Sequence, residues 1–132
     1  MTDPQTLLAL GDARFIRLTT FRRSGEPVGT PVWVVREGDE LLVFTPSGSG
    51  KLKRLRHTSR VEVTPCSRRG EVQEGAVSLE AVGRIDPSEG SVERVRALLK
   101  RKYGLEFRIF MLVEGVLSRG SRDRTTVRIS AA

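Results

Sequence analysis

The chain has 132 residues, a net charge of +7, 5% aromatic residues and a single cysteine. That length suits one domain, 1–132, with a core that needs no staples, and one cysteine excludes an internal disulfide, in keeping with a reducing, cytoplasmic setting. No stretch approaches the roughly 20 apolar residues of a membrane span, so no membrane partner is expected, and "MTDPQTLLALGDARF" lacks the basic segment and apolar length of a secretory signal.

In chain order, "PQTLLAL" (4–10) predicts a short helix with Asp3 as N-cap and Pro4 at the first position, stopped by Gly11. "RFIRLTTF" (14–21) predicts a strand with Ile16, Leu18 and Thr20 on one face, and "RRSGEP" a turn. "VGTPVWVVR" (28–36) reads as a second strand in which Pro31 marks an edge, a bulge or a break. After the tight connection "EGDE", "ELLVFT" (40–45) is a strand apolar enough to be buried on both faces. A basic helix follows over about 49–57, with Leu52 and Leu55 as its narrow apolar stripe. Strands come next at 60–66 and 76–85. "DPSEGSVERVRALLKRKYG" predicts a helix with Asp86 and Glu89 at capping-box spacing, Pro87 in the first position and Gly104 past the end. Ile109, Leu112, Val113 and Val116 suggest one more helix, and "RTTVRIS" (124–130) a last strand. Six strands with hairpin-length links and peripheral helices predict a mainly antiparallel, closed or split β-barrel.

The charge is concentrated. Residues 51–69 hold seven cations against Glu62 alone, and Lys100, Arg101 and Lys102 form a second cluster. Such clusters suit an anionic partner; with no aromatic residue interleaved in the basic run, no stacking platform for nucleic acid is visible and none is expected as partner. "FTPSGSGKLKR" (44–54) resembles a nucleotide loop but has Thr45 and Leu52 where a P-loop needs glycine and a hydroxyl residue, so the metal chemistry of an NTPase is missing. It keeps what a phosphate needs: Gly48 and Gly50 for close backbone approach, a helix opening near Ser49, hydroxyls at Thr45, Ser47 and Ser49, and cations at Lys51 and Arg54. The same residues would also serve as a solvated loop. One His and one Cys give no metal set; His57 reads as a surface residue and Cys66 as a small buried one.

"TTFRRSGEPVGTPVWVV", "FTPSGSGKLKRLR", "RVEVTPCSRRG" and "LLKRKYG", in this order, resemble the pyridoxamine-5′-phosphate-oxidase-like split-barrel flavoproteins, and within them the coenzyme F420-dependent enzymes. The resemblance spans about residues 12–130 and implies a mainly β fold with peripheral helices, a six-stranded split barrel. It implies a homodimer whose cofactor lies between subunits. The phosphate would be held by Phe44, Thr45, Ser47, Ser49 and Lys51, with Leu52, Lys53 and Arg54 beside it and Thr30, Pro31, Val32 and Trp33 along the ring. FMN-binding members usually carry cations on that second strand and an arginine before the loop lysine; Thr30 and Gly50 stand there instead, which favours the deazaflavin F420 over FMN. The polyanionic tail of F420 could meet Lys53, Arg56 and Arg60. The implied activity is an F420H2-dependent reductase that transfers hydride to an electron-poor double bond of a small organic molecule, its catalytic side chains unidentified. The alternatives are an FMN-dependent enzyme of the same fold and a protein that only binds a flavin or another anionic ligand.

Overall fold

A computed structural model describes residues 3–109, 112 and 124–132. Helix α1 (Pro4–Ala9) starts as its sequence predicts, with Asp3 accepting from the Gln5 N–H at 3.3 Å. Gly11 does not stop the chain's winding, since a 3₁₀ turn carries on through Leu10–Asp12. The strands are β1 (Ile16–Phe21), β2 (Pro27–Val32), β3 (Val35–Glu37), β4 (Glu40–Pro46), β5 (Arg60–Pro65), β6 (Leu79–Asp86) and β7 (Arg124–Ala131). They form one sheet of order β2-β1-β5-β6-β7-β4-β3, antiparallel throughout.

The strand count is seven, not six, because the segment predicted as one strand over 28–36 is two. Pro31 does lie on an edge strand, and the ladder ends one residue later. β2 and β3 are the opposite edges of the sheet, yet only Trp33 and Val34 separate them in the chain. A sheet whose far edges are two residues apart has to curl until those edges meet, so the fold is a split barrel and Trp33-Val34 is its seam. Val34 is fully buried there; its N–H donates to the Tyr103 hydroxyl at 3.2 Å and its carbonyl accepts from Lys102 Nζ at 2.6 Å.

β4 is buried on both faces, as its unbroken apolar run predicts. Leu41 and Val43 face the barrel interior with Ile16, Leu18, Val61, Val63, Val127 and Ile129, while Leu42 faces a second cluster with Val95, Leu99 and Tyr103 of α3 (Glu89–Tyr103). Helix α2 (Gly50–His57) lays Leu52 and Leu55 against the first cluster. Gly83 admits that helix: a Cβ there would meet Leu55 Cδ2 and Val61 Cγ1 at 3.0 Å.

The predicted capping box of α3 does not form. Asp86 still pairs with Thr126 as the end of β6, so the helix starts later, with Ser88 as N-cap and Pro87 outside it. The Asp86 carboxylate instead accepts from Ser88 N and Oγ at 3.1 and 2.7 Å and from Arg128 Nε at 2.7 Å, and these bonds, the Arg128 one foremost, hold its pKa down to about 2 from 3.8. A carboxyl depressed in the folded state stabilises fully above its unfolded value and loses that contribution as pH falls through the folded one. Chemical denaturation should therefore show about 2 kcal/mol disappearing between 3.8 and about 2. Asp86→Asn should flatten that part of the profile; an unchanged profile would show that another carboxylate governs it.

Gly104 ends α3 at φ +57°. Residues 105–109 and Leu112 are helical, but Ile109 and Leu112 are 54% and 71% exposed and do not form the core face their spacing suggested. Val113 and Val116 lie outside the described residues. Among the described residues no helix is long and apolar enough to cross a membrane.

Candidate functional site

The seam, the end of β4 and the start of α2 border an open cavity of about 760 Å³. After β4 the Ser49 N–H donates to the Pro46 carbonyl at 2.9 Å, closing the turn from which α2 opens at Gly50. Ser49 makes no side-chain cap to the helix; its hydroxyl accepts from Thr45 Oγ1 at 3.1 Å. The first-turn N–H groups of α2 therefore lack the usual N-cap partner. Lys51 lines the cavity half-buried, and among the described residues it makes no ion pair. Burial, aided by the nearby Arg54 charge, pushes its ammonium pKa down. An ammonium desolvated without a counter-charge is costly unless something anionic joins it.

Arg54 is fixed rather than free. Its Nε donates to Thr20 Oγ1 at 2.6 Å, and its guanidinium lies so close to Gly50 that a Cβ there would come within 2.7 Å of Nη1. Any other residue at 50 would displace it. Arg54, Lys53 and His57 border a second cavity of about 310 Å³ with Arg22 and Arg23. The single cradle read from the sequence is thus divided by the first turn of α2, with Lys51 on one side and Arg54 and Lys53 on the other.

The remaining predicted residues separate similarly. Pro31, Val32, Trp33, Phe44 and Thr45 line the main cavity with Lys51. Ser47 turns to β7, where its hydroxyl lies 2.9 Å from Thr125 Oγ1. Leu52 is 1% exposed, so its side chain belongs to the core and not to the site; it is the stripe residue that anchors α2. Thr30 does not line the cavity, though its hydroxyl is buried without a hydrogen-bond partner among the described residues. Arg60, expected among the outer cations, pairs with Glu62 and Glu80 at 3.2 and 3.3 Å and covers the Phe21 ring at 4.2 Å. His57 is exposed, as its helix position predicts, and Cys66 is half-buried with its thiol pKa pushed up by burial.

Trp33 stacks on Tyr103, centroids 4.8 Å apart and planes 20° apart, so one face of the seam indole is backed by α3. Sequence reasoning missed Phe15, Pro46, Arg68, Leu105, Glu106 and Ile109 on the cavity wall. The only signal for Ile109 was an apolar helical pattern, which reads equally well as core. No group of three His, Cys, Asp or Glu residues that could hold a metal occurs among the described residues.

The wall of this cavity is apolar but for Thr45 and Lys51 beside a helix start and Arg68 and Glu106 across from them, the ordinary form of a cofactor or small-molecule site. The family described as Pyridoxamine 5′-phosphate oxidase matches residues 3–132, and the chain belongs to it. Among solved structures, the conserved hypothetical protein Rv2991 from Mycobacterium tuberculosis is similar at 22% identity and a TM-score of 0.70, over 99% of this chain and 81% of that one. HutZ, the heme storage protein from Vibrio cholerae, is similar at 14% identity and a TM-score of 0.66, over 98% and 89%. An F420 reductase is similar at 15% identity and a TM-score of 0.61, over 94% and 91%. No curated protein matches the chain.

Proposed function

We propose that the protein is an F420-dependent oxidoreductase that passes hydride from the reduced deazaflavin to an electron-poor double bond of a small organic substrate. The observation that carries this reading is Lys51: a desolvated ammonium, without a carboxylate partner among the described residues, beside the uncapped start of α2 and inside an apolar cavity. That set fits a phosphate. Thr45 adds a hydroxyl bonded to that of Ser49, and Pro31 and Val32 of β2 with Trp33 of the seam offer an apolar face to a flat ring. F420, when bound and reduced, supplies the hydride; the chain's own residues bind, orient and exclude water. The F420 reductase of like fold supports the cofactor class. A second copy of the chain would cover the exposed Leu105 and Ile109 on the cavity wall together with the exposed Leu112, and sedimentation at twice the chain mass checks that.

The choice of F420 over FMN rests on charge. FMN ends at its phosphate, whereas the F420 tail continues with several carboxylates. The second cavity, with Arg22, Arg23, Lys53 and Arg54, lies across the same helix turn, and Arg56 is exposed on that helix. Exposed pairs are worth only ~0.2–1 kcal/mol each and are screened by salt, but several together separate the two cofactors by roughly tenfold at low ionic strength. Side-by-side titrations with F420 and FMN should show F420 binding more tightly and the gap closing as salt rises. FMN binding as tightly as F420 in low salt would put the FMN enzyme of the same fold in its place.

A further inference from the structure

We infer that the substrate is an amphipathic acid, a flat apolar body carrying a carboxylate or similar anion, and that Arg68 holds its charged end. This rests on the reading above in which the cofactor phosphate occupies Lys51. Among the described residues three ionisable side chains line the main cavity: Lys51, Arg68 and Glu106. Glu106 Oε1 accepts from Arg68 Nη2 at 3.0 Å, while Oε2 is held by Arg14. Two guanidinium groups on one carboxylate leave this cluster a net charge of +1 among the described residues, and Arg68 is the cation of the two that faces the cavity. Arg14 lies over the Tyr103 ring at 5.5 Å and does not line the cavity. Arg68 does, with its side chain 76% exposed and with no hydrogen bond other than that to Glu106 among the described residues.

Arg68 is not on a loose loop. Two residues on, the Gly70 carbonyl accepts from Arg17 Nη1 at 3.1 Å, and Gly70 lies so near Pro31 that a Cβ there would be 3.3 Å from Pro31 Cδ. The loop is thereby tied to the strand that carries Pro31 and Val32 to the cavity. Glu106 comes from the turn that supplies Leu105 and Ile109 to the same wall. The Arg68 guanidinium thus stands at an apolar wall as part of a cluster whose net charge is positive among the described residues, with N–H groups beyond the one given to Glu106 open to an entering anion. Lys51 belongs to α2 and Arg68 to the β5–β6 loop, so the two cations come from separate elements and one can serve the substrate while the other serves the cofactor.

The test uses 2-naphthoate and its neutral counterpart 2-naphthamide as probes, titrated calorimetrically into the full chain loaded with F420 and loaded with FMN. Wild type should bind naphthoate roughly two- to fivefold more tightly than naphthamide at low ionic strength, the scale of one exposed charge pair. Arg68→Gln should abolish that preference while leaving naphthamide affinity and the thermal melt unchanged, and Lys51→Ala should leave the preference in place. Equal binding of the two probes by wild type, a preference that survives Arg68→Gln, or one lost in Lys51→Ala instead would overturn the inference. A naphthoate preference that persists with FMN while F420 fails to bind would retain the role of Arg68 and remove only the cofactor reading.

Discussion

Lys102→Met is expected to lower the free energy of unfolding by about 3 kcal/mol or more. The ammonium donates to three carbonyls, of Gly11 at 2.7 Å, Ala13 at 2.7 Å and Val34 at 2.6 Å. These belong to the turn after α1, the approach to β1 and the barrel seam, so a single side chain of α3 ties the N-terminal segment to the closure point. Methionine keeps the stem's apolar packing and removes all three donors, which leaves part-buried carbonyls to find water or go unpaired, at roughly 1–3 kcal/mol for each that stays dry. Burial pushes the Lys102 pKa down, with the Asp12 charge opposing, as expected of an ammonium drawn off the surface. Lys100→Met, on the exposed side of the same helix, should stay within about 0.5 kcal/mol of wild type. Urea unfolding of the two variants decides the matter: equal small effects would mean that water replaces the ammonium freely.

Lys102 also shows where sequence reading reaches its limit. Lys100, Arg101 and Lys102 look alike as a basic cluster past the middle of an amphipathic helix, yet one of the three is structural and the others face solvent. Which one turns inward depends on carbonyls about 70 to 90 positions away, and no local pattern encodes that. Elements set by local chemistry were legible: β4 from its apolar run, α2 from two leucines, α1 from Asp3 and Pro4. The break at Trp33-Val34 was not, because the residues on both sides have strand character, and only barrel closure separates β2 from β3. The capping box failed for a related reason. Asp86, Pro87 and Glu89 satisfy the spacing, but strand pairing of Asp86 with Thr126 outcompetes the local cap. At the site, Thr45, Pro46 and Lys51 come from one short loop and are close in the sequence, whereas the far wall at Arg68 and Glu106 arises from segments that only the fold brings together.

Lys51→Ala is expected to weaken F420 binding by roughly 10- to 150-fold, since a charge-assisted bond is worth about 1.5–3 kcal/mol. The same change should not harm folding. The wild-type ammonium is half-buried with no ion pair among the described residues, and its pKa is pushed down by that burial, so the unliganded protein bears a desolvation cost that alanine removes. A variant that binds worse and unfolds no more easily identifies a residue kept for a ligand. The cation also has to be Lys51 rather than charge in general. Arg54→Ala should weaken binding as well, but by a different route: its guanidinium bonds Thr20 Oγ1 at 2.6 Å and lies against Gly50, so its loss loosens the helix start and the second cavity together. Lys100→Ala should do little, because Lys100 lines neither the main cavity nor the cavity beside Arg54. Equilibrium dialysis of the three variants at low and high salt separates these outcomes. Equal weakening by all three, vanishing in high salt, would mean that a diffuse positive field and not a built phosphate site attracts the cofactor.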